Sequence, residues 1–230
     1  MGFVLKMLGF LFPLVMLWYC TDNVEGMNVA LRYFLTIDIS KNGRTDFRQS
    51  VKNIKRALCD PKTKGAKCFL NFKVVGEPKV IVVMNVENSA ELERRLSILS
   101  SKNSFGYESE PVVDYANFAI KTLGVSNETA ILKGNTLKQS AEIIYCEFNI
   151  NFGDKAAAEL LGIWKAEAEA VFSSRKAGNA LEIFKTLGER TVHLLTERPA
   201  SVFDEILFLV PFAQEIPNTL GTTCKVARKF

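Results

Sequence analysis

The chain has a single histidine, His193, and imidazole is the usual proton acceptor near neutral pH. Tyr145 and Glu147 stand two residues apart, so they share one face of any strand they occupy. A phenol and a carboxylate beside an imidazole could move a proton on an enolisable aromatic or lactone substrate. Arg32, Tyr33, Lys73 and Lys185 could hold an anionic ligand if they point into a shared interior. Each has a plainer reading. A buried histidine is often a hydrogen-bonded structural residue, aromatics such as Tyr145 favour strand cores, and hairpin lysines are usually solvated. Trp164, at helical spacing with Leu160 and Leu161, reads as core. There is no P-loop, no G-x-G-x-x-G before a helix, no G-x-S-x-G and no H-E-x-x-H, so no cofactor is expected. One histidine and no C-x-x-C argue against zinc.

The elements that must position these residues occur twice. Phe72-Lys73-Val74-Val75-Gly76-Glu77-Pro78-Lys79-Val80 returns as Phe184-Lys185-Thr186-Leu187-Gly188-Glu189-Arg190-Thr191-Val192, with five of nine residues identical. The same offset aligns Tyr33 with Tyr145, Ser89 with Ser201 and Glu93 with Glu205, and it sets Ile81 opposite His193. A repeat of this length is the size of a small domain.

In the first copy, Asn28 to Ile39 reads as a strand. Phe47, Val51, Ile54 and Leu58 form a helical stripe that ends at Asp60-Pro61. Cys68 to Val75 and Lys79 to Val86 form a hairpin about Gly76. Asn88 or Ser89 caps a helix carrying Leu92, Leu96 and Leu99, and Pro111 to Phe118 is the last strand. In the second copy, Ala141 to Asn151 is a strand and Asp154 a helix cap. Leu160, Leu161, Trp164, Ala168, Val171 and Phe172 form the stripe, and Gly178 ends the helix. Leu181 to Leu187 and Thr191 to Thr196 form the hairpin. Ser201 caps a helix limited by Pro211, and Thr223 to Arg228 closes the copy.

The N-terminus reads as a secretory signal. Lys6 is the only charge before Asp22, and Met7 to Tyr19 is an apolar run too short to span a bilayer. Cleavage after Gly26 would start the mature chain at Met27; a retained signal anchor is the alternative. Cys59, Cys68, Cys146 and Cys224 then remain, an even number that fits two disulfides. Asn127-Glu128-Thr129 is the one N-glycosylation sequon. A net charge of +4 with scattered basic residues gives no nucleic-acid footprint. After cleavage no membrane association is expected.

The order β-α-β-β-α-β is the ferredoxin-like pattern. The fold class is therefore α+β, with a signal at 1–26, a ferredoxin-like repeat at 27–119, a polar linker at 120–139 and a second repeat at 140–230. Val80 to Met84 is apolar on both faces, so the two sheets should pack face to face as an intrachain α/β barrel. In this topology the first and third strands are neighbours, which brings Tyr145 and Glu147 within reach of His193. First and last strands are also neighbours, which favours Cys146–Cys224, while Cys59–Cys68 closes the loop between helix and second strand.

Val74-Val75-Gly76, the apolar strand to Val86 and Glu87-Asn88-Ser89-Ala90-Glu91-Leu92 resemble the muconolactone isomerase-like members of the dimeric α/β-barrel superfamily. Thr186-Leu187-Gly188, Val192 and Ser201 to Ile206 match in the second copy. The resemblance implies two sheets paired as in a dimer, here within one self-sufficient, monomeric chain. The superfamily includes isomerases, cyclases and monooxygenases. Two functions follow: a secreted binder of a small apolar or aromatic ligand, or a secreted isomerase or cyclase using His193.

Overall fold

A computed structural model describes residues 31–40, 46–62, 64–102, 105–130, 137, 142–151, 155–216 and 220–230. The expected signal segment, Asp154 and part of the expected linker lie outside these residues. Eight antiparallel strands close into a barrel: β1 (Leu31–Asp38), β2 (Ala66–Val74), β3 (Lys79–Val86), β4 (Gly106–Asp114), β5 (Glu142–Ile150), β6 (Leu181–Thr186), β7 (Thr191–Thr196) and β8 (Leu220–Lys229). The order around the barrel is β1-β3-β2-β8-β5-β7-β6-β4. The expected face-to-face packing is thus modified. The two halves are joined by hydrogen-bonded edges, Phe72–Val74 of β2 against Ala227–Lys229 of β8 and Val112–Asp114 of β4 against Phe184–Thr186 of β6. Closure gives every strand a hydrogen-bonded neighbour on both sides, although each seam pairs only three residues of each strand.

Alternation along each strand sorts the side chains into an inner and two outer cores. Phe34, Phe72, Ile81, Val83, Phe184 and Leu195 pack inside the barrel. Leu35, Ile37, Val80, Val82 and Met84 face outward, under the helices α1 (Phe47–Leu58) and α2 (Ser89–Lys102). This is why β3 is apolar on both faces. Asp46 caps α1 by accepting the Arg48 N–H, and Asn88 caps α2 through the Glu91 N–H at 2.9 Å. Both hairpins turn on a glycine at positive φ, 80° at Gly76 and 75° at Gly188, where a side chain would be strained.

Arg95 of α2 is fully buried. Its Nε donates to Glu91 Oε1 at 2.7 Å, and its Nη1 donates to the Leu58 carbonyl at 3.0 Å. It therefore satisfies a carbonyl at the C-terminal end of α1, where the helix dipole favours a cation.

The boundary between the halves departs from the expectation. The strand expected at Pro111–Phe118 starts earlier and ends at Asp114, whose carboxylate accepts the Ala116 N–H and starts α3 (Tyr115–Phe118). A π-helical turn, Ala119–Leu123, follows, then α4 (Asn127–Ala130). Leu123, Val125 and Ala130 are buried in the second outer core and Leu137 in the inner one, so the described part of the segment read as a polar linker contributes to both cores. Asn127 is exposed.

That core is covered by α5 (Ala157–Lys176), α6 (Ala200–Leu207) and α7 (Pro211–Glu215). The α6 helix starts after Pro199, one residue before the expected Ser201 cap, and Pro211 opens α7 at a position where its missing N–H costs nothing. Both expected disulfides are present. Cys59–Cys68 spans a Cα distance of 4.9 Å, and Cys146–Cys224 spans 4.1 Å across the β5–β8 pair.

Candidate functional site

The expected acid–base residues meet inside the barrel. The Tyr145 hydroxyl lies 3.2 Å from His193 Nδ1 and donates to Glu147 Oε2 at 3.4 Å. Glu147 is directly opposite His193 in the β5–β7 register. Two partners escaped the sequence reading. Glu110 Oε2 of β4 stands 3.0 Å from His193 Nε2, and the Thr186 hydroxyl lies 3.2 Å from the same nitrogen and donates to Glu110 at 3.0 Å.

Proton bookkeeping fixes what this cluster can do. An ionised carboxylate only accepts, so Nε2 carries the hydrogen directed at Glu110. With a neutral ring, Nδ1 accepts from Tyr145. With a charged ring, Nδ1 donates to the phenol oxygen and the phenol turns its hydrogen to Glu147. Both arrangements satisfy every donor, and the four groups form a relay across the barrel. The His193 hydrogen bond holds the Glu110 carboxyl below its usual range, against burial. Burial, then the Glu147 charge, raises the Tyr145 phenol. The imidazole at the centre of the relay is buried, while the Glu110 side chain stays about one-third exposed. His193 is 1 % exposed, and the Phe34 ring stacks on it at 4.1 Å.

The expected anion-binding set is not brought together. Only Arg32 turns inward; its Nε donates to Asn85 at 2.8 Å and Nη1 lies 3.7 Å from Asp114. Tyr33 packs outward against the α1–α2 core. Lys73, between inward-facing Phe72 and Val74, turns outward over the Phe47 ring at 4.3 Å. Lys185 also points outward. Its ammonium donates to the Thr186 and Glu189 carbonyls and lies over the Phe118 and Trp164 rings. Strand parity decides these placements, and the repeat misled on one of them. Phe34 pairs with Val83 and Tyr145 with Leu195, so Phe34, not Tyr33, occupies the place of Tyr145.

A cavity of about 240 Å³ lies on the opposite face of the second-half sheet. Its floor includes Val192 and Leu194, the strand neighbours of His193 that face away from the relay. Tyr115, Phe148, Trp164, Phe203 and Phe212 supply an aromatic wall. Trp164 is both core, at 4 % exposure, and cavity wall, with its Nε1 donating to the Tyr115 hydroxyl at 3.0 Å. Leu209, 67 % exposed, extends the lining to the surface beside Phe208, 73 % exposed. The lining contains one carboxylate, Glu167, and no imidazole or thiol. Burial pushes the Glu167 carboxyl up to about 7 although it accepts the Phe212 N–H at 3.2 Å. Sequence periodicity gave no sign of this cavity, because α6 and α7 form it by standing off the sheet.

Among the described residues, no group of three or more His, Cys, Asp and Glu side chains is placed to hold a metal, and no helix is long and apolar enough to cross a membrane. No family model and no curated protein matches the sequence. Solved structures do match in fold. A chlorite dismutase variant from Candidatus Nitrospira defluvii superposes with a TM-score of 0.58 at 8 % identity, over 86 % of this chain and 90 % of that one. The same enzyme in complex with imidazole gives 0.56 at 9 % identity over 86 % and 90 %. A provisionally assigned monooxygenase from Lactobacillus acidophilus NCFM gives 0.50 at 8 % identity over 86 % and 93 %. The fold is thus similar to that of chlorite dismutase; identity this low carries no activity across.

Proposed function

We propose that the protein is a secreted small-molecule-binding protein of the dimeric α/β-barrel type, whose ligand is apolar or aromatic. One observation carries the reading: an aromatic-walled cavity of about 240 Å³ between α5, α6 and the outer face of the second-half sheet. Such a cavity, with few convergent polar groups, is the usual form of a small-ligand site. A signal cleaved after Gly26, a glycan on Asn127 and two disulfides form one extracellular account. A duplicated ferredoxin-like unit explains the matching strand orders β4-β1-β3-β2 and β8-β5-β7-β6. It also supplies each half with its partner, so the protein acts as a monomer.

The isomerase or cyclase reading, the finer content of the muconolactone isomerase resemblance, has the His193–Tyr145–Glu147 relay in its favour. The burial of His193 beneath the Phe34 ring makes it the weaker of the two.

Trp164 makes the test direct, because the only other tryptophan is Trp18 in the signal segment. Titration of the mature protein with a neutral apolar probe, N-phenyl-1-naphthylamine, should change Trp164 emission saturably. Leu194→Trp, which fills the floor, should abolish probe binding, read from the probe's own emission. Probe binding undiminished in that variant would remove the cavity from the account.

A further inference from the structure

The cavity's single carboxylate is placed as a recognition group. Glu167 lies on the cavity face of α5, three residues after Trp164 and four before Val171, both of which also line it. One carboxylate oxygen accepts the Phe212 N–H and so helps start α7. That contact needs only an acceptor, which a glutamine amide would provide without a charge. The charge itself has no counter-ion among the described residues: no Lys, Arg or His lies within ion-pair distance of Glu167. Arg198 shares the cavity, but its Nη2 donates to Ser174 Oγ at 3.0 Å. Lys185 approaches Trp164 at 5.8 Å from the ring centroid and is tied to two backbone carbonyls. Tyr115 accepts from Trp164 and brings no positive charge.

A carboxylate in an apolar enclosure is costly unless a cation accompanies it. Aromatic faces around such a point also attract a cation. We propose that the cavity takes a small organic amine, its ammonium against the Glu167 oxygen that Phe212 does not engage and its apolar or aromatic body against Trp164, Phe148 and Phe203. The inference rests on the cavity reading and deepens it by naming the ligand class.

The protonation of Glu167 gives the proposal a pH signature. Its carboxyl is raised to about 7 by burial, so it ionises over the range where an alkylamine, with a pKa close to that of lysine at about 10.4, stays charged. Amine affinity should therefore rise about tenfold between about pH 6 and pH 8, while a neutral ligand's affinity stays flat. Tyr115, Arg198 and Lys185 are the other titratable groups facing this region; burial raises the Tyr115 phenol and lowers the Lys185 ammonium, and loss of the pH dependence in Glu167→Gln assigns it to Glu167.

The experiment is calorimetric titration of the mature protein with 2-phenylethylamine, its neutral isostere 2-phenylethanol, and 3-phenylpropionate. At about pH 8 the amine should bind at least tenfold more tightly than the alcohol, and Glu167→Gln should erase that preference while leaving alcohol affinity within about twofold. Equal binding of amine and alcohol by the wild-type protein overturns the inference and leaves the cavity reading standing. Binding of neither overturns both. Tightest binding of the propionate assigns the polar end to Arg198 and also overturns it. Glutamine keeps an acceptor for Phe212; if the variant still failed to fold, the wild-type amine-to-alcohol ratio and its pH dependence would decide alone.

Discussion

His193 Nε2 and Glu110 Oε2 are 3.0 Å apart, and their contact crosses the seam between the two halves of the barrel. Glu110 lies on β4 of the first half and His193 on β7 of the second, so neither half can complete this polar cluster alone. Because the bond favours the ionised carboxylate, its contribution to stability is present above the ordinary glutamate range. It is lost as pH falls through that range to the lowered folded value. Glu110→Gln should therefore lower stability at about pH 7 and flatten the stability profile between about pH 5 and pH 3. Denaturant titrations across that range check this.

His193→Ile places in β7 the residue that stands at Ile81 in β3. It should cost about 1–3 kcal/mol, since Glu110 can recover water at the rim while Tyr145 keeps Glu147. Cavity ligand affinity should be unchanged, because His193 faces the other side of the sheet from Val192 and Leu194. A folded His193→Ile protein that no longer binds would move the functional site into the barrel.

Arg95→Met should cost about 3 kcal/mol, from loss of a buried ion pair and of a hydrogen bond to the α1 carbonyl end. Arg94, then Arg95, holds the Glu91 carboxyl down to about 2, opposed by burial. That contribution is present above the ordinary glutamate range and disappears as pH falls towards about 2. The penalty of Arg95→Met, read from unfolding midpoints, should therefore shrink in strong acid.

The disulfides close very different loops, with sequence separations of 78 for Cys146–Cys224 and 9 for Cys59–Cys68. Chain entropy predicts about 4.5 kcal/mol lost on removing the first and about 2.5 kcal/mol on removing the second. Paired Cys→Ser variants, compared by denaturant unfolding, should keep that order.

Raising the Glu167 carboxyl carries the opposite sign from Glu110 and Glu91. The unfolded chain ionises near the ordinary glutamate value and the folded chain only near 7, so folding stability falls as pH rises between them. Glu167→Gln should be more stable than wild type by up to about 3 kcal/mol at pH 8 and equal to it near pH 4. A saturating amine should remove most of that difference.

The local elements were legible where a short-range signal was unambiguous. Lys79–Val86 ends at the residues that the apolar run marks, Gly76 and Gly188 sit in positive-φ turns, strand adjacency led to Cys146–Cys224, and the short loop between helix and second strand led to Cys59–Cys68. Tyr115–Phe118 was read as strand because Tyr and Phe favour strands; the Asp114 cap two residues before Ala116 was the signal that could have corrected it. Glu110 could not be found because it reaches His193 only through barrel closure between β4 and β6. The identity of Tyr33 and Tyr145 misplaced Tyr33 by one residue, and in a strand one residue is the other face.

The central claim is that the cavity over Val192 and Leu194 holds a small organic ligand. Native mass spectrometry of protein purified from its own type of host cell, under conditions that keep both disulfides, tests it most directly. The account predicts a population carrying one small-molecule mass increment, present in His193→Ile and absent from Leu194→Trp. An increment that survives Leu194→Trp but vanishes in a folded His193→Ile protein would contradict it.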